Sequence, residues 1–144
     1  MSLPLPDPAP FVLHLPPDAT SWAAGEEACQ FSRESLGIDL DPWQEYVLKQ
    51  SLAEKKVDGK WRYASFENAM ILPRQQGKGF ILQALELSCL FLMGHRTIVH
   101  SAHQFATSQE HMMRVKELME GSDELSKLLL PNGRSFINTN GKEA

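Results

Sequence analysis

The stretch from Ala69 to Met93 constrains this chain more than any other part of it. A short apolar run, Ala69-Met-Ile-Leu72, leads into Pro73-Arg-Gln-Gln-Gly-Lys-Gly79, and Phe80 to Met93 is then apolar almost all round. The run predicts a buried strand, the glycine-bearing segment a tight loop, and the last segment a buried helix with Gly94 as its C-cap. Gln83, Glu86 and Ser88 interrupt that helix, and it falls short of the ~20 residues a membrane span needs. Thr97-Ile-Val-His100 predicts a second short strand, and Phe105 to Glu120 an amphipathic helix closed by Gly121. Strand, helix, strand, helix is the order of a parallel α/β sheet with right-handed crossovers.

The flanking sequence is of other kinds. Pro4, Pro6, Pro8, Pro10, Pro16 and Pro17 fall in the first 17 residues, a spacing that blocks helix and interior strand and predicts an extended arm over residues 1–19. Within it, Phe11-Val-Leu13 offers a short apolar contact, and a loosely held leader is the expectation. Thr20 or Ser21 caps a helix running to about Ser35, with Gly37 just past its end. Asp41 at the N-cap, Pro42 at the first helical position and Gln44 three residues after the cap spell a second helix start, to about Glu54. Lys55–Lys60 with Asp58-Gly59 predicts a turn, and Trp61–Pro73 a strand or hairpin arm. Ser122 caps a last short helix to Leu130. Pro131-Asn-Gly133 reads as a turn, and Ser135-Phe-Ile137 before Asn140-Gly141 as half of a hairpin. No returning strand follows Asn140-Gly141, and two parallel strands make a poor sheet. The expectation is therefore a domain, residues 20–144, that continues downstream.

Composition narrows the classes. With 144 residues, 42% hydrophobic and 22% charged, the chain is globular in character. No basic residue precedes Arg33, so a secretory signal is not expected. Cys29 and Cys89 lie far apart and are expected as free thiols in a reducing compartment. A net charge of -4 argues against a chain coated with basic charge for DNA, but leaves room for a local basic track.

The chemistry concentrates in Leu72–Gly79. Unpaired N–H groups and the dipole at a helix start attract anions. Gly77 and Gly79 let the backbone approach closely, and Lys78 supplies a point charge for terminal phosphates. Arg74 adds a guanidinium suited to bidentate phosphate contacts and to charge developing in phosphoryl transfer. The strict P-loop pattern fails twice, at Leu72 in place of glycine and at Gly79 in place of the hydroxyl that grips Mg²⁺. An ordinary strand-to-helix turn with a solvated lysine is the alternative. Gln44 is able to hydrogen-bond an adenine edge, but it is equally the partner in a capping box. His100-Ser-Ala-His103 falls at a strand's carboxyl end, where α/β proteins bind ligands. It lacks third and fourth metal ligands, because Cys29 and Cys89 fall in expected helices, so no metal site is assigned. Met112, Met113, Val115, Leu118 and Met119 read as a packing face.

Three blocks in order, Leu40-Asp-Pro-Trp-Gln44, Leu72-Pro-Arg-Gln-Gln-Gly-Lys-Gly79 and Thr97-Ile-Val-His-Ser-Ala-His103, resemble the start of the ATPase domain in the large terminase subunit of tailed double-stranded-DNA bacteriophages. The resemblance covers roughly residues 36–144. It implies an incomplete P-loop NTPase fold of the ASCE/RecA-like kind, a parallel sheet with flanking helices behind a Pro-rich arm. It also implies a motor, in the bacterial cytoplasm, that uses ATP and Mg²⁺ to drive double-stranded DNA into a capsid. Its implied partners are the small terminase subunit, the capsid portal and further copies in a ring. By that resemblance Gln44 contacts adenine, Arg74 couples to the γ-phosphate, and Gln75, Gln76, Gly77, Lys78, Gly79 and Phe80 form the phosphate turn, with Lys78 as its lysine. The family's acidic strand end, which holds Mg²⁺ and orients water, has no match here, since Asp123-Glu124 follows Gly-Ser. The nuclease domain is also missing. The implication is that the chain alone binds nucleotide weakly and does not turn it over. The competing readings are another P-loop nucleic-acid motor of helicase type, and a small α/β anion-binding or interaction module without enzymatic activity.

Overall fold

The computed structural model describes residues 3–7, 9–10 and 13–128, and the chain divides into two compact units, Met1–Arg96 and Thr97–Ala144. Phe11 and Val12, the expected turn at Pro131–Gly133 and the expected hairpin at Ser135–Gly141 lie outside the described residues.

The first unit is built on three helices, α1 (Ala23–Glu34), α2 (Pro42–Ser51) and α3 (Lys78–Phe91), each packed on the other two. Helix α2 begins where the Asp41-Pro42 signal places it, and the Asp41 N–H donates to Gln44 Oε1 at 2.8 Å. Leu48, Ala84, Leu87 and Ala28 are wholly buried between the helices, with Ile81, Leu52 and Tyr46 beside them. Each leucine removed from water there contributes about 2 kcal/mol. Contact between α1 and α2 is close because α1 carries Gly25: a Cβ at that position would lie 2.4 Å from the Lys49 Cα. At the rim, Arg33 of α1 pairs with Glu45 of α2 at 2.8 Å.

Helix α2 ends earlier than its sequence suggests, and the chain turns into an antiparallel hairpin of β1 (Glu54–Val57) and β2 (Lys60–Tyr63). Asp58 and Gly59 both have positive φ, 51° and 75°, as a two-residue turn of the mirror-image type requires. The β1 strand is anchored where Ser21 and Glu54 exchange backbone hydrogen bonds. Residues of the arm form no helix or strand among those described, and Asp18 holds Lys55 at 2.7 Å.

The sheet differs from expectation. Among the described residues the two-stranded antiparallel hairpin is the whole of it. Ala69–Leu72 and Thr97–His100, expected as parallel strands, make no ladder hydrogen bonds there. Ile71 is 97% exposed and Val99 88%. The physical reason lies in what a parallel strand needs. Its hydrogen bonds come from neighbours in the same sheet, and its faces are covered by helices. Without paired neighbours these apolar segments run as irregular chain.

Helix α3 starts two residues earlier than its apolar pattern, at Lys78. It is buried along Ile81, Gln83, Ala84, Leu87 and Ser88, while Phe80 and Leu92 stay exposed. Gly94, with φ of 69°, lets the His95 N–H reach back to the Cys89 carbonyl. In the second unit, α4 (Phe105–Gly121) is followed by a single 3-10 turn, Ser126–Leu128, in place of the longer helix expected from Ser122. Among the described residues Val115 and Leu125 are the buried apolar ones there, and Met112 and Met113 of the expected packing face remain exposed. No helix among the described residues is long and apolar enough to cross a membrane.

Candidate phosphate-binding loop

The loop between Leu72 and α3 is shaped by two left-handed residues, Gln75 with φ of 60° and Gly77 with φ of 74°. Glycine takes that conformation freely, but for Gln75 it costs about 1 kcal/mol. Such strain persists where surrounding structure imposes it, and it clusters at functional sites. Gly77 is the N-cap of α3, so the unpaired N–H groups of the first helical turn face the loop. The Phe80 N–H is already taken, donating to the Gly77 carbonyl at 3.1 Å.

Lys78 folds back over the loop, and its Nζ donates to the Leu72 carbonyl at 2.9 Å. The side chain thus spans the bend it belongs to. It is half-buried, and no carboxylate among the described residues pairs with it. A partly desolvated cation whose partner is a neutral carbonyl favours an anion in its place. Arg74 stands exposed at the start of the turn, also without an ion pair among the described residues.

Gln44 joins the loop from α2, 33 residues away. It is 4% exposed, and while its Oε1 caps α2 its Nε2 donates to the Gly77 carbonyl at 3.2 Å. Both ends of the amide are therefore engaged within the protein, one fixing a helix start and the other the loop. A Cβ at residue 77 would lie 2.6 Å from Nε2, so this contact depends on glycine. Of the residues singled out in the sequence, the structure brings Gln44, Gly77, Lys78 and Phe80 together, the Phe80 ring lying beside Gly77. Gln75, Gln76 and Arg74 form the exposed side of the turn, and Gly79 has open space around its α-carbon.

The arrangement suits the phosphate chain of ATP in its charge, its glycine-lined backbone and its free helix start. It does not supply a Mg²⁺ site of its own, because Gly79 lacks the hydroxyl and the loop carries no carboxylate.

Some of these contacts leave no mark in the sequence. The Leu72 carbonyl as the rest position of Lys78 has no sequence signature. His100 stacks on His111 of α4, ring centroids 3.9 Å apart, rather than acting with His103. The hairpin is half legible, since Asp58-Gly59 marks its turn, but the local pattern of Glu54–Val57 suggests the end of a helix and a turn. Burial pushes the Cys29 thiol up to about 11, with the Glu45 charge adding to it, and burial also raises Cys89. Both cysteines are free.

Compared with known protein families, with curated proteins and with solved structures, the chain finds no match.

Proposed function

We propose that this chain is the nucleotide-binding, N-terminal part of the ATPase domain of a phage or prophage terminase large subunit, the motor that packages double-stranded DNA. The observation that carries the reading is the hydrogen bond from Gln44 to the Gly77 carbonyl. It sets the Asp-Pro-Trp-Gln block beside the Gly-Lys-Gly block, in keeping with an ATP site built from both, and with Oε1 on Asp41 and Nε2 on Gly77 the amide braces the loop rather than reading adenine. The unpaired charge of Lys78 and the strained Gln75 support it. The exposed Ile71 and Val99 are in keeping with strands of a parallel sheet that other strands and helices cover.

In this reading ATP supplies the phosphoryl bond whose cleavage drives translocation. Lys78 leaves the Leu72 carbonyl to hold the β- and γ-phosphate oxygens, and the N–H groups at the start of α3 cradle them. Arg74, swinging in from the exposed side, stabilises the charge that builds as the bond breaks. Gln44 keeps Gly77 in place and so holds the loop open. Mg²⁺ and the attacking water need acidic ligands that the loop does not provide.

Isothermal titration of the chain with MgATP tests the reading. Weak saturable binding, lost at least tenfold in Lys78→Ala, is the expected result. Equal heats for the wild-type and variant proteins would remove Lys78 from the site and the motor reading with it.

A further inference from the structure

We propose that the β1–β2 hairpin is a duplex-DNA-binding ribbon that grips the two phosphate backbones on either side of a groove. Five of the chain's fourteen basic residues, Lys55, Lys56, Lys60, Arg62 and Arg96, sit on or beside this one hairpin of an otherwise acidic protein. Lys55 is taken up by Asp18 at 2.7 Å. The other four are exposed and have no ion pair among the described residues.

The register decides where these charges point. Lys56 is opposite Trp61, and Glu54 opposite Tyr63, so those four share one face; Lys55, Val57, Lys60 and Arg62 share the other. On the first face Lys56 Nζ lies 5.0 Å from the Trp61 ring centroid, a cation–π contact that restrains the long side chain while leaving its charge in solvent. Tyr63 on the same face hydrogen-bonds His95 at 2.9 Å and stacks on it, which brings the chain at His95, and with it the exposed Arg96, up to the hairpin. Lys60 and Arg62 project from the second face. Every residue of β2 is exposed, and Trp61 keeps 49% of its surface in solvent.

Cations on both faces of a narrow ribbon match two lines of negative charge with a gap between them. The major groove of a duplex offers that gap, wide enough for a two-stranded ribbon. A single strand has one backbone and would engage one face. Lys56 already lies over one face of the Trp61 ring, which leaves at most one face to stack on an unpaired base. Four exposed cations without ion pairs among the described residues predict binding that is weak, sequence-independent and strongly salt-dependent. The choice of duplex DNA rests on the packaging-motor reading, while the charge pattern itself does not.

Fluorescence anisotropy with a labelled 20-base-pair duplex at ~50 mM salt tests the proposal, with the single strand and polyglutamate as competing probes. The expected Kd is in the ~10 µM range, with a slope of log affinity against log salt near -3 for three or four phosphate contacts. Lys60→Glu combined with Arg62→Glu should weaken binding at least tenfold, and Arg96→Ala alone should reduce the slope by about 1. Circular dichroism melts and the MgATP titration, unchanged in these variants, would establish that the fold and the loop are intact. Duplex affinity undiminished in the double variant, no duplex binding by the wild type, or preference for single strand or polyglutamate would each overturn the proposal. A hairpin that fails while Lys78→Ala still abolishes MgATP binding leaves the motor reading standing. Duplex binding through the hairpin by a chain that binds no MgATP removes the motor reading and keeps the ribbon.

Discussion

Gly77 carries two demands at once. Its φ of 74° is one a side chain rarely adopts, and Gln44 Nε2 occupies the space a Cβ would need. Gly77→Ala should therefore lower stability by about 1–2 kcal/mol in urea melts and weaken MgATP binding, because the loop must shift away from Gln44. Gly79 is the internal control. It stands inside α3, and a Cβ there would meet nothing within 4 Å, so Gly79→Ala should leave stability unchanged or raise it by about 0.5–1 kcal/mol. Equal losses at the two glycines would show that the Gln44 contact is not what holds the loop. The Gly-Lys-Gly spelling is visible in the sequence, and so is the capping role of Gln44. That one glutamine serves both motifs is not, because the bond spans 33 residues and its two ends carry unrelated local signals.

Among the elements, α1 and α2 show how a single residue sets a packing distance. Glycine inside a helix normally costs about 1 kcal/mol against alanine, so Gly25 would look like a defect if α1 stood alone. Against α2 it is what allows the backbones to meet at Lys49. Gly25→Ala gains helix propensity yet should destabilise the protein by about 1–3 kcal/mol, since the obstacle is the Lys49 α-carbon rather than a flexible side-chain end. A urea midpoint equal to or above the wild-type value would show that the helices separate at no cost. The helices themselves are legible from apolar spacing, and α2 from its cap as well, whereas α1 starts after Trp22 rather than at the expected Thr20 or Ser21 cap. The segments Ala69–Leu72 and Thr97–His100 carry the same kind of signal and behave differently. A helix satisfies its own backbone, whereas a strand depends on partners that local sequence does not specify.

For the whole molecule, the stability of the first unit is tied to pH through Cys29. Burial raises its thiol to about 11, against about 8.5 for an exposed thiol. Above pH ~8.5 the unfolded chain releases this proton while the folded chain keeps it, so the unfolded state binds fewer protons and stability falls as pH rises toward 11. Below pH ~8.5 both states are protonated and the contribution is fully present. Cys29→Ala should flatten this part of the pH–stability profile. Native Cys29 should also react with iodoacetamide at pH ~8.5 at least ~10-fold more slowly than in urea, because the thiolate is the nucleophile. Labelling at the unfolded rate would mean that the site is open to water.

The amino-acid sequence alone determined the elements whose hydrogen bonds close locally: α2 from Asp41-Pro42-Trp-Gln44, the turn at Asp58-Gly59, and the glycine-led start of α3. It also set the charge that places four cations without carboxylate partners among the described residues about one hairpin. Only the tertiary structure decided that Gln44 braces Gly77, that Lys78 rests on the Leu72 carbonyl, and that Lys56 lies over Trp61. These contacts join residues whose separation along the chain hides their partnership, and they form because burying α1, α2 and α3 against one another fixes where each loop must pass.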